Sequence, residues 1–371
     1  MLARVFNFFK KISKSEIYVM YVGDYSSQIG PPNSMIYLSH LLEKKYTVSM
    51  TSNLLKGDAS GDSKTNRKQN NISRKKNNFS IPFRKHLASI RFVALVISFN
   101  IKVLAARLVK PNIKFVITQP LLMPWYSFEN VYFIKRANLE ISNIGKENKV
   151  FHYFESRFIK SKSFKLIYLV KQDYDSGHPY SVIPNHFSNE RFKVRVANES
   201  RIQMHSVGTW NKRKGADLLH ELSDLLIEYS KEKINIYGGL GSDERLNKLL
   251  KSEKIEYHGV ISSPYNNFNA GDIFLSFSKV EGLQRSLVEA LFMGCIIIAF
   301  PRPDSLSLRD YPGVFIIDPN NKYDSLKTTL QQIYSLNCFE LSELGLKNRS
   351  LAMNDFSEKG VLESWVKLLS R

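Results

Sequence analysis

Cysteine is scarce in this 371-residue chain. Cys295 and Cys338 are too few for a disulfide framework and lack the clustered spacing of a zinc site. A reducing compartment is the expectation. Apolar stretches are short as well: the longest candidate, Phe92 to Ile101, is closed off by Arg91 and Lys102. That is well under the roughly 20 residues of a membrane-spanning helix. The opening segment from Met1 to Lys11 sets apolar beside basic residues, but its uncharged part is too short for a signal-peptide core, so export is not expected. Neither Gly nor Pro recurs with a short period and no heptad is sustained, which excludes a collagen-like or coiled-coil rod. With 43% hydrophobic and 23% charged residues, the composition is globular.

Acidic residues are also few: 34 Asp and Glu face 53 Lys and Arg, a net of +19. The imbalance is local. Residues 1–150 hold 24 basic and 8 acidic side chains, a net of +16, and the remaining 221 residues hold 29 and 26, a net of +3. Such a field favours an anionic partner for the first part: a membrane surface, a phosphorylated substrate or nucleic acid. No recognition-helix module or aromatic RNA-binding motif is visible, so nucleic acid is not the expected partner.

The length exceeds what one hydrophobic core usually supports, and the pattern alternates β and α elements twice. Ile17 to Val22 reads as a buried parallel strand. Gly30-Pro-Pro-Asn33 reads as a turn, Ser34 to Glu43 as an amphipathic helix and Tyr46 to Met50 as a second strand. Residues 56–85, with nine basic and two acidic side chains, read as a basic loop with too little apolar surface to order well. An apolar-basic helix from about His86 to Leu108 follows, then strands at Lys114–Thr118, Val131–Ile134, Lys165–Val170 and Tyr180–Asn185, with a helix near 149–161. The expected division is a first domain over 1–185, a linker over 186–200, a second domain over 201–350 and a closing helix over 351–371 that could pack back on the first domain.

In the second half, strands are expected at Ile202–Val207, Lys233–Tyr237, Ile255–His258, Asp272–Phe277, Cys295–Phe300 and Val314–Ile317. The helices expected there are Ala216–Tyr229, Asp243–Lys251, Leu283–Met293, Asp324–Leu336 and Ser357–Leu369.

The richest segment runs from Asp272 to Gly294. A buried strand delivers Glu281 to a turn at Gly282 and Leu283, and the next helix carries Glu289 and presents its free N–H groups above the sheet. That arrangement suits an anionic, extended ligand. Two glutamates eight apart occur on any solvated helix; the strand, Glu-Gly, apolar stripe, Glu-Ala, Met-Gly and following strand give the pair its weight.

This Glu281-x7-Glu289 segment resembles the signature of retaining glycosyltransferases of family 4, which have the GT-B fold and are typified by bacterial enzymes of surface-polysaccharide assembly. Ser206-Val-Gly-Thr-Trp-Asn-Lys-Arg-Lys214-Gly215, Val182-Ile-Pro-Asn185 and Tyr257-His-Gly-Val-Ile261 are similar to other segments of that family. The resemblance implies an α/β, GT-B fold, with two Rossmann-like domains facing each other across a cleft. It implies that Lys214 neutralises the donor diphosphate, Glu281 binds a hydroxyl of the transferred sugar and Glu289 holds the ribose. Backbone near Val260 would read the base, Gly30 and Gly208 would let loops approach the phosphates, and Arg213, Gly282 and Leu283 would complete the donor site. The co-substrate would be a UDP- or GDP-linked sugar, with no cofactor and no metal. The implied partners are a lipid-linked or glycan acceptor and an anionic membrane surface, placing the chain in the cytoplasm at the inner face of the cell membrane.

Two positions depart from the family pattern. Thr209 stands where an arginine is usual, with Arg213 nearby to supply charge. The first-domain stretch Phe133 to Glu140 has no histidine; Arg136 and Asn138 are its acceptor-side candidates, and His152 reads as a packed structural residue. A basic binding protein without catalysis, or a catalytically impaired homologue, is the alternative.

Overall fold

The structure, a computed structural model, describes residues 13–20, 31–51, 97, 100–118, 129–135, 164–171, 179–187, 192–196, 202–240, 250 and 253–371. The basic loop 56–85, the helix expected near 149–161, Gly30, Arg136, Asn138 and His152 lie outside the described residues. The chain divides into two compact units, one comprising Met1–Ile134, Glu147–Ile167 and Gly177–Ser181, the other Lys135–Lys146, Tyr168–Ser176 and Val182–Arg371.

The first sheet contains β1 (Ile17–Met20), β2 (Val48–Thr51), β3 (Lys114–Ile117), β4 (Val131–Lys135), β5 (Lys165–Tyr168) and β6 (Tyr180–Val182). Their order is β2-β1-β3-β4-β5-β6, and β1 pairs in parallel with both β2 and β3. All four residues of β1 are buried, as a strand covered on both faces requires. Helix α1 spans Pro31–Glu43 and buries Met35, Leu38, Leu41 and Leu42. It begins earlier than the turn reading of Gly30 to Asn33, because proline fits a first helical turn, where its missing N–H is not needed. Helix α2 covers residues 100–109.

The second sheet contains β7 (Met204–Val207), β8 (Ile234–Tyr237), β9 (Ile255–Tyr257), β10 (Ile273–Ser276), β11 (Ile296–Ala299) and β12 (Val314–Ile316). Its order is β12-β11-β10-β7-β8-β9. The helices are α3 (Ala216–Ser230), α4 (Arg285–Phe292), the short α5 (Pro303–Leu306), α6 (Lys322–Tyr334), α7 (Cys338–Asp355) and α8 (Glu358–Leu369). β10 and β11 are buried along their whole length, and Ile273, Leu275, Ile296 and Ile298 join Leu219, Leu222 and Leu226 of α3 in one core. Each such side chain contributes about 1.5–3 kcal/mol by leaving water.

The chain builds β7, β8 and β9 outward in one direction and then places β10 on the other side of β7. In an open parallel sheet such a reversal leaves a crevice at the strands' carboxyl ends, because the two connecting loops diverge there. The loops after β7 and β10 are those that carry Lys214 and Glu281.

Phe187 and Phe192, in the stretch whose composition reads as a linker, are buried. Their rings meet Phe292 at 5.8 and 5.3 Å, and the Phe187 N–H donates to the Phe356 carbonyl at 3.1 Å. No described helix is long and apolar enough to cross a membrane.

Candidate functional site: the carboxyl ends of β7 and β10

After β7 the chain turns through Gly208 and Thr209, anchors Trp210 and forms one turn of 3-10 helix over Lys212–Lys214. Trp210 is buried; its indole N–H donates to the Tyr237 carbonyl at 3.0 Å and its backbone N–H to the Gly239 carbonyl at 2.8 Å. The Asn211 side chain accepts from the Lys214 N–H at 3.0 Å, capping the turn. Gly215 then takes φ 77°, and a Cβ there would lie 2.0 Å from the Phe277 carbonyl oxygen. Only glycine lets the two loops come this close.

That approach brings the expected residues together. Lys214 Nζ donates to Glu281 Oε1 at 2.5 Å, with the two side chains 17% and 12% exposed. Arg213 donates to the Val280 carbonyl at 3.3 Å, and its guanidinium lies 3.9 Å from the same Glu281 oxygen. Thr209 is exposed, and Arg213, four residues on, brings a guanidinium to the same loop. The Lys279 N–H donates to the Arg213 carbonyl at 2.8 Å, and its ammonium pairs with Asp217 at 2.5 Å.

Glu289 lies on α4, set back from Glu281. Its carboxylate accepts from the Tyr265 hydroxyl at 2.7 Å and from Arg285 at 3.2 Å. Burial, and then the neighbouring Glu289 charge, raise the Tyr265 phenol well above its ordinary value, so it stays a proton donor. Leu283 is buried beneath the turn, whereas Val260 is 79% exposed on the loop after β9. That loop is tied inward: Gly238 N–H donates to the Gly259 carbonyl at 2.7 Å, and a Cβ on Gly238 would meet the Gly208 carbonyl oxygen at 1.9 Å. Left-handed backbone here falls on Gly215, Gly238 and Gly259, not on Gly282, where the tight turn is expected.

The described candidates Gly208, Arg213, Lys214, Glu281, Gly282, Leu283 and Glu289 thus all belong to the β7 and β10 loops or to α4, with Val260 on the adjoining β9 loop. Tyr265, Arg285, Arg302 and Asp304 are not readable as site residues in the sequence. Tyr265 follows Pro264 in a polar loop with no periodic neighbour, and Arg302 and Asp304 carry the one available hint: two charges directly after the apolar strand β11. Chemically, the crevice offers cations beside a carboxylate at a sheet reversal, with a second carboxylate set back on a helix.

Residues 202–335 match the family described as Glycosyl transferases group 1. The matched segment lies within the second unit. Among solved structures, sucrose-phosphate synthase from Thermosynechococcus elongatus is similar with a TM-score of 0.67 at 14% identity, covering 95% of this chain and 97% of that one. Anabaena HepE in complex with UDP gives 0.62 at 12%, covering 96% and 99%. A variant of S. aureus TarM, in complex with Fondaparinux, alpha-GlcNAc-glycerol and UDP, gives 0.55 at 18%, covering 69% of this chain and 55% of that one. The chain thus spans about half the length of TarM. At these identities the likeness establishes the fold, which is the GT-B type. No curated protein matches the chain in sequence.

Proposed function

We propose that the chain is a retaining glycosyltransferase of family 4, moving a sugar from a nucleoside-diphosphate donor to a lipid-linked or polysaccharide acceptor. The pathway is O-antigen, capsule or related glycan assembly, at the cytoplasmic face of the cell membrane. The observation that carries this reading is the meeting of Lys214 and Arg213 with Glu281 at the β7/β10 reversal, inside the segment that matches a glycosyltransferase family.

Cleaving the bond between sugar and diphosphate puts negative charge on the departing nucleoside diphosphate while the sugar gains oxocarbenium character. Fixed cations beside the phosphates, Lys214 and Arg213, lower that barrier without reorganising. Glu281, freed from Lys214 as the diphosphate arrives, accepts a sugar hydroxyl, and Glu289 accepts from the ribose. The exposed Val260 turn faces the base, whose identity as uracil is favoured by the UDP held in HepE and TarM. Retention proceeds by same-face substitution, the leaving phosphate helping to take the acceptor proton.

The acceptor belongs to the basic first domain, with Arg136 and Asn138 as its candidates, Gly30 lets the first-domain loop approach the donor phosphates, and the anionic bilayer is the domain's surface. One feature of α2 supports this: Ile101, Leu104 and Leu108 recur along one stripe, 62%, 47% and 78% exposed.

A thermal-shift comparison of UDP, GDP and their sugar conjugates tests the reading, since ligand at 100 times its Kd adds about 2.7 kcal/mol of stability. No shift with any of them sinks it. NMR of the product decides retention: an inverted anomeric linkage removes that assignment. A non-catalytic basic binding protein would instead hold anionic vesicles and lose nothing on Glu289→Ala.

A further inference from the structure

Arg302 is 4% exposed, and its guanidinium is fully engaged. Nε donates to Asp304 at 3.0 Å; one terminal nitrogen donates to the carbonyls of Ser276 at 3.1 Å and Ser278 at 2.7 Å. The other donates to the Ser276 hydroxyl at 2.9 Å, to Gln284 Oε1 at 3.0 Å and to Asp304 at 3.4 Å. Asp304, fully buried, also accepts the Gln284 backbone N–H at 3.0 Å, and the Ser276 hydroxyl donates to Gln284 Oε1 at 2.6 Å. One planar cation therefore grips the chain where it leaves β10 and again where it enters α4. Between those two grips stand Lys279 to Leu283, the turn that carries Glu281.

We propose that Arg302, with Asp304 and Gln284, is a positioning device that fixes the Glu281 turn against Lys214 for sugar transfer. This rests on the donor-site reading above. The geometry argues for direction as well as packing. A guanidinium fork can satisfy two alternate carbonyls and a side-chain amide at set angles, which neither an ammonium nor an apolar side chain can do. The far side of the turn is held by the Arg213–Val280 and Lys279–Arg213 bonds and the Lys214–Glu281 and Lys279–Asp217 pairs, all from the loop that carries Lys214 and the first turn of α3 that follows it. Without Arg302 the carboxylate and the lysine would still be tethered to each other but not to the sheet. Binding of the nucleoside diphosphate draws on Lys214 and Glu289, whose own supports, Asn211 and Tyr265, do not touch Arg302. Loss of the network is thus expected in turnover more than in nucleotide affinity.

The test compares Arg302→Lys and Gln284→Ala with the full-length wild type. Turnover is followed with whichever of UDP-glucose, UDP-N-acetylglucosamine and GDP-mannose the wild type uses fastest, affinity by calorimetry with UDP and GDP, and mobility by amide hydrogen exchange. Expected are a fall in kcat of about tenfold or more, a nucleotide Kd within about twofold, and exchange of the 279–283 amides at least about tenfold faster, with α3 unchanged. A folded Gln284→Ala protein with kcat within twofold of wild type overturns the proposal, as does a Kd that rises in step with the loss of kcat/KM. Should Arg302→Lys fail to fold, Gln284→Ala decides alone. The exchange arm needs no turnover: an unchanged turn sinks the positioning role whatever the substrate. A wild type that binds no nucleotide, beside variants with a loosened turn, counts against the donor-site reading instead.

Discussion

Lys214 and Glu281 neutralise each other at 2.5 Å in a mostly enclosed position, and this sets what each substitution does. Lys214→Ala leaves the carboxylate with only the Arg213 guanidinium, 3.9 Å away and half exposed, so the diphosphate meets net repulsion. The expected loss is about 10²–10³-fold in kcat, the range found when one oxyanion donor is removed, and steady-state kinetics on the active donor checks it. Undiminished transfer would refute the phosphate role. Glu289 predicts a different signature. If its carboxylate accepts from the ribose, wild type prefers UDP to 2′-deoxy-UDP, and Glu289→Ala abolishes the preference while weakening UDP by about 10–100-fold, the worth of a charge-assisted hydrogen bond. Calorimetry with the two nucleotides reads this directly; a preference that survives the substitution refutes it. Glu281 and Glu289 were singled out by a local pattern of strand, turn, glycine and amphipathic helix, and Lys214 by the resemblance; the structure places them beyond the end of β10, on α4 and after β7. Tyr265, which orients Glu289 from 24 residues away, has no such pattern. Its role exists only once the loop after β9 folds over α4.

Among the elements, α7 shows where patterning fails. Cys338–Asp355 is an 18-residue helix that no apolar stripe announces, because its buried face is Ser342, Gly345, Asn348 and Ala352 along with Leu341. The face is small because it packs against backbone. A Cβ on Gly345 would lie 1.9 Å from the Gly294 carbonyl oxygen, at the turn that ends α4 with Gly294 at φ 79°. Asn348 is fully buried, accepts the Gly313 N–H at 2.9 Å and donates to the Cys295 carbonyl at 3.2 Å, joining α7 to the residues that lead into β12 and β11. Gly345→Ala therefore forces the helix off the α4 turn, with an expected destabilisation of about 1–3 kcal/mol or more, seen as a lower urea midpoint. Because α4 carries Glu289, nucleotide affinity should fall with it. A variant with wild-type midpoint would show that α7 can slide without penalty. The parallel strands, by contrast, were legible almost residue by residue: β10 and β11 are buried on both faces, so burial coincides with unbroken apolar runs.

For the chain entire, the alternation of strands and helices made the α/β class legible and the resemblance in the second half supplied the GT-B fold, while the strand order and its reversal at β7, which periodicity cannot give, came from the structure. The +16 of residues 1–150 bears on the choice of partner and not on the order of the strands. Several phenols register the fold in their ionisation, as the buried Cys295 thiol does. Burial raises Tyr265, Tyr311 and Tyr334 well above the ordinary 10.0, with Glu289 and Asp355 adding to the first two. The unfolded chain releases these protons near pH 10 while the native unit keeps them, so above that pH the unfolded state binds fewer protons and stability falls as pH rises. Below about pH 9 the contribution is flat and fully present. Three such groups remove about 3 kcal/mol between pH 10 and 11, at about 1 kcal/mol each, measurable by urea unfolding in that window. Tyr334 separates this linkage from general alkaline damage. Its buried hydroxyl has no hydrogen-bond partner among the described residues, so Tyr334→Phe at pH 7 leaves stability unchanged or raises it. At pH 11 the same variant gains a further ~1 kcal/mol over wild type, because its unfolded chain has one phenol fewer to ionise. A gap between variant and wild type that stays constant from pH 8 to 11 would show that Tyr334 titrates alike in both states, and that the burial of its ring does not hold its proton.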